Sequence, residues 1–362
     1  RTWSLFATDT LSLSERWHAT LSGRYNRSTV SNRDQLNPGG GADSLDGDHR
    51  FQRFNPAVGL TYTPSRAWNA YAGYSEGSRT PTAIELGCAN PDNPCKLPNA
   101  MAGDPPLKQV VTKTWDFGLR GQASSVTRWN LGLFRAENHD DILFVADDQL
   151  GYGYFKNFGK TRRQGVEAGA STAIGALSLA LNYTFIDATY RSVESVGGAG
   201  NSTNSAGAGL EGSIAIHPGN RIPLIPRHLV KASADYRLTP ALSLGADMIA
   251  VSGAFARGNE NNQHQADGST YLGPGRSAGY ALMNLGARYE MSRGLQLFGQ
   301  INNLFDRQYA SAAQLGSTAF SAGGSVVTRP FGQVGGDYPQ VGSTFYAPGA
   351  PRTFWVGLRY SL

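Results

Sequence analysis

Apolar and polar residues alternate with a period of two over most of the chain, most clearly from Gly279 to Ala310. Ala281, Met283, Leu285, Ala287, Tyr289 and Met291 fall on one side, and Asn284, Gly286, Arg288 and Glu290 on the other. After the turn Ser292-Arg293-Gly294, Leu295, Leu297, Gly299 and Ile301 oppose Gln296, Gln300 and Asn302. Successive strand side chains point to opposite faces, so this is a hairpin with one apolar and one polar face. Each arm holds about a dozen residues. That is longer than the usual globular strand of about 5–6 and suits a tilted membrane-spanning strand.

The same unit repeats. The pattern predicts strands over Thr2–Leu11, Arg16–Val30, Phe54–Thr63, Trp68–Ser78, Lys113–Gln122, Thr127–Ala146, Tyr154–Ile174, Leu177–Arg191, His228–Leu238 and Ala241–Ala256. The two arms of the hairpin above and a last strand, Arg352–Leu362, follow. Short turns alternate with long polar loops: Asn32–Arg53, Arg79–Thr112, Ser192–Arg227, Arg257–Ala278 and Ser311–Pro351. Prolines 81, 91, 94, 98, 105 and 106 keep the second of these out of a ladder. Compact soluble domains rarely carry several long structureless loops. Outer-membrane barrels do, with short periplasmic turns and longer extracellular loops. Apolar faces free of charge, and aromatics near strand ends (Trp3, Trp17, Tyr25, Trp68, Trp129, Tyr236, Tyr289 and Tyr360), favour the membrane over a soluble sandwich or solenoid. The class is all-β, an antiparallel transmembrane β-barrel. An edge in lipid leaves backbone groups unpaired, so the sheet is expected to close. Yet about thirteen strands is an odd number, where single-chain bacterial barrels have even ones. The chain is therefore read as part of a larger barrel.

Composition agrees. The chain has 362 residues, 45 of them Gly and only 16% charged, with no apolar run long enough for a membrane helix. Its net charge of +5 is scattered rather than clustered, which argues against nucleic-acid binding. It begins at Arg1, already within a strand pattern and without a signal peptide, as a C-terminal part of a longer protein would.

Four stretches resemble the TonB-dependent receptors of the bacterial outer membrane. They are Tyr74-Ser75-Glu76-Gly77-Ser78-Arg79-Thr80-Pro81 with Glu85-Leu86, Asp140-Asp141-Ile142, Arg163-Gln164-Gly165-Val166-Glu167, and Asn302-Asn303-Leu304-Phe305-Asp306 with Tyr309. They occur in the family's order, and the resemblance covers essentially the whole chain. It implies that residues 1–362 are the C-terminal part of a 22-stranded barrel, with the plug domain and the TonB-contacting segment outside this sequence. It further implies energised uptake of a scarce ligand, most often a ferric siderophore, and otherwise haem, cobalamin or a sugar. The TonB complex would act through the missing N-terminal part, and the barrel-assembly machinery would read the C-terminal strand. Leu362 stands where the family usually ends in Phe. The protein would sit in outer-membrane lipid as a multi-pass barrel, with no enzymatic chemistry and no cofactor. A passive porin-like channel is the alternative.

Candidate functional residues follow from chemistry. Loop cations and aromatics suit an anionic chelate: Arg79, Arg221, Arg227, Arg257, Arg276, Arg329, Tyr271, Phe331, Tyr338 and Tyr346. Cys88 and Cys95 enclose six residues and read as a disulfide clip worth roughly 2.5 kcal/mol. With no nearby His they make a poor zinc pattern. His139-Asp140-Asp141 reads as a polar cluster where a strand leaves the membrane, and no Ser/His/Asp constellation is visible. Arg24, Asp116, Arg120, Arg163, Glu167, Lys231, Asp235, Arg237, Asp247, Arg288, Glu290 and Arg359 are expected on the polar faces, paired across a lumen or lining a hydrated path.

Overall fold

The computed structural model describes residues 1–35, 38–39, 44, 46–87, 95–96, 107–146, 152–210, 212–327, 332–333 and 336–361. Thirteen long strands form one up-and-down antiparallel sheet in which each pairs with the next along this order. They are β1 (Thr2–Ser12), β2 (Trp17–Asn32), β3 (Gly47–Ser65), β4 (Trp68–Arg79), β5 (Val110–Gln122), β6 (Arg128–Ala146), β7 (Tyr152–Ile174), β8 (Leu177–Tyr190), β9 (His228–Arg237), β10 (Leu242–Val251), β11 (Tyr280–Ser292), β12 (Leu295–Asn302) and β13 (Thr353–Tyr360). Tight turns need left-handed backbone, which Gly175 (φ +59°) and Gly294 (φ +81°) supply.

Four expectations need correction. Among the described residues the sheet does not close on itself, because β1 and β13 pair on one side only. Both are odd-numbered strands of a meander and run the same way, so they cannot make an antiparallel seam. The strand expected to run to Ala310 stops at Asn302, because Asn303 (φ +49°) and Asp306 (φ +50°) turn the chain away. β10 stops at Val251, after which Ala254–Phe255 pairs with Arg276–Ser277 instead. β3 starts at Gly47, well inside the expected loop, and pairs along all of β2.

Register fixes two faces. On one face run Leu21, Val58, Leu60, Phe117, Leu119, Leu131, Leu133, Leu179, Leu181, Leu244, Met248, Leu297, Val356 and Leu358, all exposed. A soluble protein rarely presents so large a contiguous apolar surface. Two aromatic tiers bound it. Near the short turns, Trp17 stacks on Tyr62 (4.4 Å between centroids), which meets Trp68 edge-on. At the other end Trp3 packs on Tyr25, and Tyr74 on Trp115 at 4.6 Å. Eight residues of tilted strand from Trp17 to Tyr25 span about 20 Å, close to the height of an outer-membrane apolar band. Asp9, opposite Leu21 on the edge strand β1, departs from the expected charge-free face.

The opposite face is polar. All twelve residues expected there share it, as the register shows through pairs such as Gly73 with Asp116, Asn182 with Lys231, Ser233 with Asp247 and Gln296 with Arg359. Arg120 bonds Asn69 at 2.9 Å and lies over the Tyr71 ring, and Arg288 approaches Asp235 at 3.6 Å. These are wet, exposed pairs worth little each.

The long connections are not structureless. Hairpins form within three of them: Glu194–Gly197 with Ser213–Ile216, Ala254–Phe255 with Arg276–Ser277, and Ala310–Thr318 with Val341–Pro348, the last joined by Tyr271–Leu272. Compact burial concentrates at this end, where loop residues pack on the strand ends. Phe158, Tyr190, Val196, Ile214 and Ile216 form one cluster, and Ala256, Ala313 and Leu315 another.

Candidate functional site

The loop-bearing end of the sheet gathers most of the chain's unusual chemistry. Three of the sequence stretches singled out above meet there. After β4, α1 (Ala83–Gly87) starts with a capping box: the Glu85 N–H donates to Thr82 Oγ1 (3.2 Å), and the Glu85 carboxylate accepts from the Thr82 N–H (2.7 Å). Arg79 closes on the same carboxylate at 2.7 Å. The helix then drives Leu86 into a buried cluster with Leu107, Val110 and Ile142. Ile142 follows a break in the β6–β7 ladder, where Asp140 takes φ +52° and leaves the pairing together with Gly159, the register being unchanged on either side. The left-handed backbone at Asp140 turns Asp141 inward. Its carboxylate accepts from Thr161 Oγ1 at 2.6 Å and Asn138 Nδ2 at 3.1 Å, with Arg163 at 3.6 Å. The polar cluster expected at His139-Asp140-Asp141 is therefore a ladder break locked to β7. The fourth stretch is also a lock: Asn303 bonds Asn284, Arg307 and Ala350, while Tyr309 packs on Tyr280 at 4.5 Å.

Beyond these locks, the connections 191–227 and 252–279 are pinned by a buried amide and imidazole network. Asn201 Nδ2 donates to the Gly258 carbonyl at 2.8 Å, and Asn261 Nδ2 to Thr203 Oγ1 at 2.8 Å. Asn259 donates to the Gly275 carbonyl and accepts from the His264 N–H. His264 Nδ1 accepts from the Ser202 N–H, so Nε2 carries the proton and donates to the Gly273 carbonyl. No periodic signal marks these residues; only the run Gly258-Asn259-Glu260-Asn261-Asn262-Gln263-His264 hints at them.

Burial holds the His264 imidazole below its usual pKa, outweighing the Gly273 carbonyl and Asp267, which act the other way. A folded-state pKa below the unfolded value of about 6.5 means the unfolded chain binds the proton more readily. The network's stability is then full above about pH 6.5 and falls as the pH drops through the folded value. Amide protection in 252–279, corrected for intrinsic exchange, is expected to fall in that acid window in the wild type and to stay flat in His264→Gln. An equal pH slope in both proteins would remove His264 from this role.

The ten residues expected to meet ligand fall into distinct settings. Arg79 is engaged by Glu85, and Arg227 by Asp187 at 2.7 Å. Tyr271 is buried; its hydroxyl accepts from Asn204 and from the Gly209 N–H and donates to the Gly207 carbonyl. Arg221 lies over the Phe255 ring at 5.2 Å, and burial, together with the Arg227 charge, lowers its pKa. Arg257 and Arg276 are exposed, as are Tyr338 (53%) and Tyr346 (47%). Arg257 is close enough for its charge to act on the Glu260 carboxyl, which burial raises. Arg329 and Phe331 lie outside the described residues, as do Cys88, the side chain of Cys95 and Leu362; the Cys95 backbone pairs with Gly153. Among the described residues, no three His, Cys, Asp or Glu side chains are grouped to hold a metal ion.

Comparison with known proteins places this architecture. Residues 1–304 match the family described as TonB dependent receptor-like, beta-barrel. A curated relative, the probable TonB-dependent siderophore receptor PiuA of Acinetobacter baumannii, is 20% identical over 324 residues, which is 89% of this chain and 39% of the relative. The chain thus spans about two fifths of that protein's length. Among solved structures, the ferric yersiniabactin uptake receptor FyuA of Yersinia pestis superposes with a TM-score of 0.64 at 15% identity, over 99% of this chain and 45% of that one. The copper transporter OprC gives 0.66 at 19% identity, over 100% and 47%. At these identities the structures share the fold.

Proposed function

This chain belongs to the TonB-dependent receptor β-barrel family, and from that premise we propose that it is the C-terminal barrel part of a receptor that imports a ferric siderophore. The protein is a β-barrel of the bacterial outer membrane, and its family consists of transport receptors rather than enzymes. The iron-chelate reading is supported by the siderophore receptor among its relatives. On this chain, the observation that carries it is the exposed set of Arg257 and Arg276 on the pinned connection 252–279 with Tyr338 and Tyr346 on the last long connection, above a polar inner face of mixed charge. Guanidinium and phenol side chains suit an anionic chelate with aromatic or carboxylate groups. Arg79, Arg227 and Tyr271 serve the loops' own structure in this reading. Domain 1–362 is one barrel segment, energised by the TonB complex through a plug, and its last strand is the contact for barrel assembly.

The test is uptake of radiolabelled iron chelates by iron-starved cells carrying or lacking the gene. Deletion is expected to abolish uptake of at least one chelate, and Arg257→Glu with Arg276→Glu to raise its half-saturation about tenfold or more. Uptake of every ferric chelate unchanged by deletion would sink the iron reading. A passive channel would instead keep its flux when the proton gradient is collapsed.

A further inference from the structure

On the outward, apolar face of the sheet the rows change character abruptly. One row reads Phe117, Leu133, Val166, Phe185 across β5 to β8. The next toward the loops reads Trp115, Arg135, Gln164, Asp187, and the one after it Lys113, Glu137, Arg162, Thr189. Arg221 bridges to Thr189 and so joins this row, with Lys160 and Arg191 exposed just beyond. Asp187 lies ten residues from the turn end of β8 at Leu177, about 25 Å along a tilted strand. That is the height at which an outer-membrane apolar band ends.

The charge there is unbalanced. Five guanidiniums, of Arg135, Arg162, Arg191, Arg221 and Arg227, surround two carboxylates. Glu137 is taken by Arg135, and Asp187 by Arg227 at 2.7 Å with Arg162 at 4.0 Å. The charges of Arg191 and Arg135 both bear on Arg162. Three polar atoms in the cluster are buried and have no hydrogen-bond partner among the described residues: Arg162 Nε, Arg227 Nε and Thr189 Oγ1. Guanidinium forks crowded by like charge on this outward surface suit a tetrahedral anion, because they match phosphate oxygens.

We propose that this cluster binds the phosphate headgroup of a lipid in the surrounding outer leaflet, whose acyl chains lie against the Phe117, Leu133, Val166 and Phe185 row. The site faces the bilayer and not the lumen, so a lipid is its natural occupant and the transported ligand is not. Arg221 and Arg227 lie at the end of the connection that carries the Asn201 network, which makes the bound headgroup a staple between β7, β8 and that loop.

The probe is diphosphorylated lipid A, with its fully dephosphorylated form as control, added to receptor extracted from outer membranes in detergent and measured by native mass spectrometry. Wild-type protein is expected to retain the phosphorylated lipid at least about tenfold better than the control. Arg162→Gln with Arg221→Gln should lose that preference, while Arg288→Gln on the inner face keeps it. Arg162→Lys, which keeps the charge and the size but not the fork, should lose part of it. Heat-modifiable gel mobility confirms that each variant is folded. Equal retention of both lipids by the wild type, unchanged preference in the folded double variant, or displacement by millimolar inorganic phosphate would each overturn the assignment.

Discussion

Replacing Gly165 with Val is expected to abolish the folded barrel. Gly165 sits in β7 opposite Ile186 of β8 and Phe134 of β6. A Cβ built there falls against the Phe185 carbonyl oxygen, well inside contact distance, and 3.0 Å from the Phe134 ring. The ring can rotate, but the carbonyl belongs to the β7–β8 ladder. Moving it unpairs backbone groups at membrane depth, where each costs several kcal/mol. Even Ala should lower the folded fraction sharply. Gly59 is a suitable control, because a Cβ there has 3.9 Å or more to its nearest neighbours, Thr20 and Ala72. Folded protein in outer membranes, read by heat-modifiable mobility, should vanish for Gly165→Val and persist for Gly59→Ala. Normal folding of the Val variant would show that β7 and β8 are spaced differently from the register described.

The second large effect is expected at Asp141. Its side chain is 10% exposed and holds Thr161, Asn138 and Arg163 together beside the ladder break at Asp140. Asp141→Ala leaves the fully buried Thr161 without this bond and Arg163 without a counter-charge. Breaking a buried pair by removing one partner costs about 3–5 kcal/mol, and the lower end applies because the Arg163 side chain is a third exposed. A loss of about 3 kcal/mol is expected in urea unfolding in detergent. Asp141→Asn keeps an acceptor for Thr161 and should lose roughly half as much. An Ala variant with an unchanged midpoint would mean that this segment is held by the Leu86 and Ile142 cluster alone.

Much of this was legible in the sequence, for a physical reason. A strand with one face in lipid and one in water must alternate, and a shift of one residue would invert every side chain. Leu131 and Leu133 against Asn130, or Leu179 and Leu181 against Asn182, therefore reveal register and face together. The thirteen strands and the twelve polar-face residues followed from that rule. Where the rule lapses, so did the reading. The end of β12 depends on positive φ at Asn303 and Asp306, and the inward aim of Asp141 depends on Asp140 leaving the ladder. Neither leaves a mark on periodicity. The loop hairpins are short and irregular, so Tyr271 was expected to meet ligand and His264 passed as an ordinary loop residue, although both are buried. The outward arginines were missed for a related reason. Arg135 and Arg162 keep the lipid-facing parity but stand one or two rows above the apolar band, a height that only the cross-strand register reveals.

A membrane barrel requires that the two faces of the sheet meet different solvents. The most direct measurement is spin-label accessibility on single-cysteine variants in bilayers, with both native cysteines replaced. Labels at Leu131, Leu133 and Leu181 should collide preferentially with dissolved oxygen. Labels at Asp116, Glu167 and Asp247 should collide preferentially with a water-soluble nickel chelate. The preference should flip between neighbours such as Leu133 and Gly132. Equal access of the chelate to both sets, or no alternation along β6, would contradict a membrane barrel with a hydrated lumen.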